Sequence, residues 1–284
     1  MPGVVSIWYG PPGGPPAYAR ADRETHYAAS MMKLAVLAGL YREHEAGRVT
    51  LDEKLPVHNE FRSVAPGAGT FGCRRSYDSD EAVWERLGTT ASLRWLARRM
   101  IVRSSNLATN LILERIGYDA ATAAWRASGA EQSIVARPIE DRAAADQGIA
   151  NLVTAADVAA LLGAIAQDAI TQGATSQGAQ TRGTVANRDS CRDMLDILLA
   201  QELRDDLAAG LPPGTKVAHK NGWVMGVRHA GGVVFPDDAE PFVLAVCLST
   251  PRAVNRSTDK ACRLVARIAA AAWHDREQRP LTHP

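Results

Sequence analysis

The chain has 284 residues, 46% of them hydrophobic and 22% charged, and its 32 basic side chains nearly balance its 31 acidic ones. That composition excludes intrinsic disorder, collagen-like repeats and a polyelectrolyte tail, and the length provides for a sizeable apolar core in one large domain or two that share a core. A net charge of +1 gives no field to gather phosphate backbones or an anionic membrane surface, so the expected partner is a small molecule rather than nucleic acid or a membrane.

The basic set holds 27 Arg but only five Lys (Lys33, Lys54, Lys216, Lys220 and Lys260), beside 49 Ala. Genome composition accounts for that bias, and it makes each lysine worth placing. Four cysteines, Cys73, Cys191, Cys247 and Cys262, are too few for a disulfide scaffold and include no C-x-x-C pair of the kind that binds zinc. Free, buried thiols are expected, with a Cys247/Cys262 bridge as the alternative, and neither metal nor cofactor is called for. No uncharged apolar run approaches the ~18 residues of a membrane span, and the amino terminus MPGVVSIWYGPPGG lacks the basic and apolar regions of an export signal. The cytoplasm is the expected location, although a chain trimmed of its signal would read the same.

In chain order, GVVSIWY is β-branched and aromatic, PPGGPP has turn chemistry and AYARAD resumes an extended pattern, which predicts an amino-terminal hairpin. SMMKLAVLAGLYREHEAG follows as a helix, nearly apolar for its first three turns and therefore internal, with Gly47 just past its end. From about 48 to 207 the pattern is helical or loop-like: LRWLARRMI, SNLATNLILERIG, AATAAWRASG, TAADVAALLGAIAQ and RDMLDILLAQEL, with strand signals nearly absent. Strands return at TKVAHKNGW, VRHAGGVVF and PFVLAVCLST, before a last helix in STDKACRLVARIAAAAW. The order predicts an α/β (α+β) architecture: one five-stranded antiparallel sheet covered by the first and last helices (residues 1–47 plus 208–284), with an inserted helical lobe (48–207) and a cleft between the two.

Lys33 follows Ser30 by three residues at the start of the buried helix, so an ammonium shares a helical face with a hydroxyl, a plausible activated nucleophile. Alone the pattern is weak: Ser257 precedes Lys260 by the same spacing, where a serine cap and a surface lysine suffice. What distinguishes the first copy is company. S-x-N occurs as Ser104-Ser105-Asn106 at an interhelical turn, and K-x-G as Lys220-Asn221-Gly222 on a strand. With S-x-x-K, S-x-N and K-x-G in this order, the chain resembles a class A β-lactamase or a related penicillin-recognising serine hydrolase over nearly its whole length.

The resemblance implies Ser30 as nucleophile, Lys33 as its proton partner, and Ser104 as a shuttle toward the leaving nitrogen. It implies that Asn106 holds a substrate amide, that Lys220 binds a substrate anion, and that the N–H groups of Ser30 and Trp223, just past Gly222, form an oxyanion hole. Arg228 is either a clamp on a ligand carboxylate or a partly exposed salt-bridging arginine, and His26 and His219 would flank the cleft. Three departures stand out. The family's S-D-N reads Ser-Ser-Asn, removing a carboxylate at Ser105, and K-T-G reads Lys-Asn-Gly, replacing a hydroxyl by the Asn221 amide. The family's E-x-x-L-N loop reads ARPIEDRAAADQG, with Glu140 36 residues after Ser104 but Ala143 and Ala144 in the Leu and Asn places. Glu140 is either the base that primes water for deacylation, or, with Asp141, a loop anchor through Arg137 or Arg142.

The implied activity is hydrolysis of a β-lactam or related amide through a Ser30 acyl-enzyme. The absent export signal and altered glutamate loop favour, as a second reading, an intracellular esterase, peptidase or acyltransferase acting on a biosynthetic intermediate. A third, a catalytically silent binding protein with the same fold, has no need of Ser30, Lys33, Ser104 and Lys220 together. Oligomeric state has no signature in the sequence.

Overall fold

The computed structural model describes residues 3–170, 185–251, 253–254 and 259–276. Its centre is a five-stranded antiparallel sheet built from β1 (Val4–Gly10), β2 (Tyr18–Arg20) and, much later in the chain, β3 (Lys216–Val224), β4 (Val227–Phe235) and β5 (Phe242–Ser249). The spatial order is β2-β1-β5-β4-β3, so the amino-terminal hairpin is stitched to the carboxy-terminal meander by β1 on β5, with Ile7 opposite Val246. The predicted hairpin and meander therefore do join one sheet. β4 and β5 are buried on both faces because helices cover both, whereas β3 is left at the edge.

Seven principal helices follow the predicted segments: α1 (Lys33–Glu45), α2 (Leu93–Val102), α3 (Asn106–Ile116), α4 (Tyr118–Ala127), α5 (Ala155–Ile170), α6 (Arg188–Leu199) and α7 (Lys260–Asp275). α1 is buried without interruption from Lys33 to Tyr41, as its apolar composition requires, and it ends where Gly47 adopts φ +71°. The main core runs from α1 through α2, α3, α4 and α5 to the inner side of the sheet, and a second cluster, including Leu211, Val217, Leu244, Val265 and Ala269, fills the space under α7. No helix among the described residues is long and apolar enough to cross a membrane.

Three details differ from the sequence reading. The segment 48–207 contains short strand pairs that periodicity could not reveal, at Lys54–Pro56 with Thr90–Ser92 and at Phe61–Arg62 with Thr70–Phe71. Two or three residues are too few to show a period of two. All four cysteines are free, so the Cys247/Cys262 alternative does not hold; Cys262 instead donates to the Asp205 carbonyl. The second S-x-x-K also resolves differently. Ser257 lies outside the described residues, while Asp259 caps α7 by accepting from the N–H of Cys262, and Lys260 is exposed.

α7 meets the 3-10 turn Leu207–Gly210 so closely that a Cβ on Gly210 would overlap the backbone of Ala266. Gly210→Ala should lower stability by about 1–3 kcal/mol through overpacking, read as a fall in the urea midpoint at constant m-value; an unchanged midpoint would show that α7 slides freely on the turn.

Candidate active site

The sequence places Ser30 in a 3-10 turn, Ala29–Met32, that leads directly into α1. Ala29 just before it has φ +46°, a left-handed conformation that L-residues other than Gly, Asn and Asp seldom adopt. The turn is held from outside. Ala28 N–H donates to the Asn151 carbonyl (2.9 Å), and the Asn151 amide contacts Met32 Sδ (2.9 Å) and donates to Arg137 O (3.0 Å). Asn151 Oδ1 accepts from the N–H groups of Ala136 and Arg137 at 2.7 and 3.0 Å. Asn151 thus ties the Ser30 turn to the loop that carries Glu140. Asn151 has no neighbour in any of the three motifs, and nothing in its sequence context distinguishes it.

On the other side of Ser30 lies the edge strand. A Cβ at Gly222 would stand 2.9 Å from Ser30 N and 3.0 Å from Met31 N, so only glycine admits β3 this close to Ser30. That close approach is the physical content of the K-x-G motif. As an edge strand, β3 leaves alternate N–H groups without a strand partner, and Trp223 follows directly on the glycine.

Lys33, Ser104, Asn106 and Lys220 come together as one buried network. Lys33 Nζ donates to Ser104 O (2.6 Å), Ser104 Oγ (3.2 Å) and Asn106 Oδ1 (2.9 Å). Lys220 Nζ reaches the same Ser104 Oγ from β3 at 3.1 Å, and also donates to Asn221 O (2.7 Å). Both lysines are 0% exposed. Ser104 sits at the turn between α2 and α3 with φ +60°, the conformation that turns its carbonyl and its hydroxyl toward the same ammonium. Its oxygen accepts from both lysines, which leaves its own proton to donate.

Burial drives the electrostatics. Desolvation lowers Lys33 from the ordinary lysine range to about 7, against an opposing pull from Asp78 and Cys73. Lys220 is also pushed well down, first by desolvation and then by the charge of Lys33, with Asp206 opposing. Asp206 is itself raised to about 6 by burial. Below α3, Asp78 Oδ2 accepts from Ser105 Oγ (3.1 Å) and from the N–H groups of Asn106 and Leu107 (both 2.9 Å). The sequence reading missed this residue, since only the chain path through residues 72–80 brings it to the motif.

The other candidate residues are placed differently. Glu140, at φ +67°, accepts from Arg74 N–H (3.2 Å) and Nε (2.9 Å), and Asp141 accepts from Ser63 Oγ (2.8 Å) and Val64 N–H (2.9 Å). The loop is therefore pinned through Arg74 and the 63–64 segment, and Arg137 also holds it by donating to the Pro138 and Asp141 carbonyls, besides Tyr27 Oη. Asn110, one turn along α3 from Asn106, grips the N–H and carbonyl of Ile139 (2.8 and 2.9 Å), the residue just before Glu140. The Asn221 amide donates through Nδ2 to Leu203 O (3.1 Å), while its Oδ1 lies 3.4 Å from Lys220 Nζ. Gly222 faces Ser30, and by strand alternation Asn221 and Trp223 are on the opposite side of β3.

Arg228, opposite Trp223 in the register, shares that side, with its guanidinium 5.4 Å from the indole ring. It is 4% exposed, so the partly exposed arginine of the sequence reading is not what folds. Both histidines are buried packing groups. His26 is wedged between Ser6 Oγ (2.8 Å) and Ser249 Oγ (2.7 Å), and His219 is fully buried, lowered to about 3 by desolvation. Among the described residues no cluster of His, Cys, Asp or Glu is placed to hold a metal ion.

Comparison with solved structures finds the same fold repeatedly. A β-lactamase from Sphaerobacter thermophilus superposes with a TM-score of 0.74 at 20% identity, over 98% of this chain and 94% of that one. PBP-A gives 0.72 at 23%, over 97% and 92%. An ancestral class A β-lactamase gives 0.72 at 20%, over 95% and 94%. No curated protein matches in sequence. Residues 2–274 match the model of the Beta-lactamase enzyme family, and with that match spanning nearly the whole chain, the protein belongs to this family.

Proposed function

We propose that the protein is a serine acyl hydrolase that opens a β-lactam or related amide through an acyl-enzyme on Ser30. The observation that carries the reading is the hydroxyl of Ser104 suspended between two buried lysines beside the nucleophile turn. Neutral Lys33 accepts the Ser30 proton as Oγ attacks the carbonyl carbon, and the developing oxyanion is met by the N–H groups of Ser30 and Trp223. Ser104 then passes its proton to the leaving nitrogen and is reprotonated through the lysines. The fold relative PBP-A supports acyl chemistry on this scaffold, since a variant of it has been captured as an acyl-enzyme complex with penicillin-G.

A second reading, an esterase or acyltransferase on a biosynthetic intermediate, is favoured by the Glu140 loop. The Glu140 carboxylate is engaged by Arg74, and alanines stand at 143 and 144, so a base for water is not built in as the resemblance would require. In either reading acylation is the well-equipped half of the cycle. Release of the acyl group falls to Lys33 or to a second nucleophile.

Intact-mass measurement after exposure to penicillin-G and to a fluorophosphonate separates the readings. A single adduct, lost in Ser30→Ala, is expected with both reagents; no adduct with either would overturn the acyl-enzyme. A β-lactam adduct that persists for hours favours the second reading over an efficient β-lactamase.

The acylation rate should rise with pH and level off above about 7. Lys33 acts as a base only when neutral, and its lowered value means that the neutral form dominates above that point. A rate independent of pH between 5 and 9 would exclude Lys33 as the base.

Glu140→Gln should change the adduct lifetime by less than about threefold, because the residue anchors the loop; a lifetime longer by about tenfold or more would return the water-activating role to Glu140.

A further inference from the structure

Position 105 lacks the carboxylate of the S-D-N motif, yet the helix start it belongs to is not without one. Asp78 arrives from a different segment, and its Oδ2 alone takes the Ser105 hydroxyl and the first two N–H groups of α3, including that of Asn106 itself. The Asn106 side chain is held at the same place, with Nδ2 donating to Tyr77 O (3.0 Å), the carbonyl just before Asp78. Asn106 Oδ1 then meets Lys33. The segment is not a loose tether. Asp78 Oδ1 accepts from Asp80 N–H (3.0 Å), Ser79 Oγ donates to Arg103 O (2.7 Å), and the buried Asp80 carboxylate is clasped by the Arg99 guanidinium. Arg99 and Arg103 belong to the end of α2, directly before Ser104, so both ends of the Ser104 turn are fastened to residues 77–80.

We propose that Asp78 is the motif carboxylate of this enzyme, moved from the middle of the motif to a neighbouring strand of chain, and that it positions Ser104 and Asn106 for the reaction. It touches neither substrate nor the reacting atoms, so it is a positioning residue. It also contributes charge: of the groups that act on Lys33, Asp78 and Cys73 favour the protonated form while burial opposes it. Lys220, the remaining charge in the network, shares Ser104 Oγ with Lys33. Glu140 lies behind Cys73, whose thiol it helps to keep protonated.

The inference rests on the acyl-enzyme reading, and the test keeps the two apart. Fluorophosphonate labelling of Ser30 is timed across pH 5 to 9 in the wild type, in Asp78→Asn, and in the exchange Asp78→Ser/Ser105→Asp, which returns the carboxylate to the motif. Asp78→Asn should label about tenfold to a hundredfold more slowly. The midpoint of its pH profile should move to lower pH, because removing a negative charge lets Lys33 lose its proton more easily. The exchange variant should recover to within about threefold of wild type and bring the midpoint back. Labelling of Asp78→Asn at the wild-type rate would overturn the proposal, and so would an exchange variant that remains as slow as Asp78→Asn. A slow Asp78→Asn with an unmoved midpoint would reduce Asp78 to a structural cap and overturn its electrostatic part. A wild type that takes no label would instead overturn the acyl-enzyme reading itself, and this inference with it.

Discussion

Two ammonium groups compete for one hydroxyl oxygen inside the protein, and much of the architecture serves to make that tolerable. Ser104 Oγ lies 3.2 Å from Lys33 Nζ and 3.1 Å from Lys220 Nζ, with both lysines excluded from water. Two full charges so close in a medium of low polarisability would repel by several kcal/mol, whereas neutralising one removes the conflict. The fold therefore brings Lys33 down to about 7. It does so by burying α1 from Lys33 onward, not by recruiting a carboxylate to take the proton.

Holding that arrangement requires strained backbone on both sides of the cleft. Ala29 and Ser104 both lie at positive φ, and Glu140 does too. Each is fixed by neighbours that have other structural duties: Asn151 for the nucleophile turn, the 77–80 segment for Ser104, and Asn110 with Arg74 for the Glu140 loop. Such conformations cost of order 1–3 kcal/mol each and persist only where the surroundings over-determine them. Ala21, just past β2, is also at positive φ, so such conformations are not confined to the segments around Ser30. The sheet contributes its part through a single missing Cβ at Gly222, which lets the edge strand lie against the Ser30 N–H.

The sequence alone made the skeleton of this site legible. Ser30, Lys33, Ser104, Asn106 and Lys220 were all named by three short motifs in order, because each motif encodes a local need: a helical spacing, a turn, a strand that must come close. The supporting residues were not legible. Asp78, Asn151 and Arg74 act across 27, 119 and 66 residues on Ser105, Met32 and Glu140, and a lone Asp or Asn in a loop has no local signature. The burial of Arg228 was not legible either: it sits on β4 opposite Trp223, and its side of the sheet depends on where Gly222 must point.

By itself the sequence determined the α/β order of elements, the burial of α1 and the motif residues that the fold gathers into one network, since periodicity, composition and motif spacing are properties of neighbouring residues. Only the tertiary structure decided which carboxylate caps the Ser104 turn, that Glu140 is engaged by Arg74, and that Lys33 is brought down to about 7. Those outcomes depend on desolvation and on contacts between distant segments. Neither exists until the chain has closed around them.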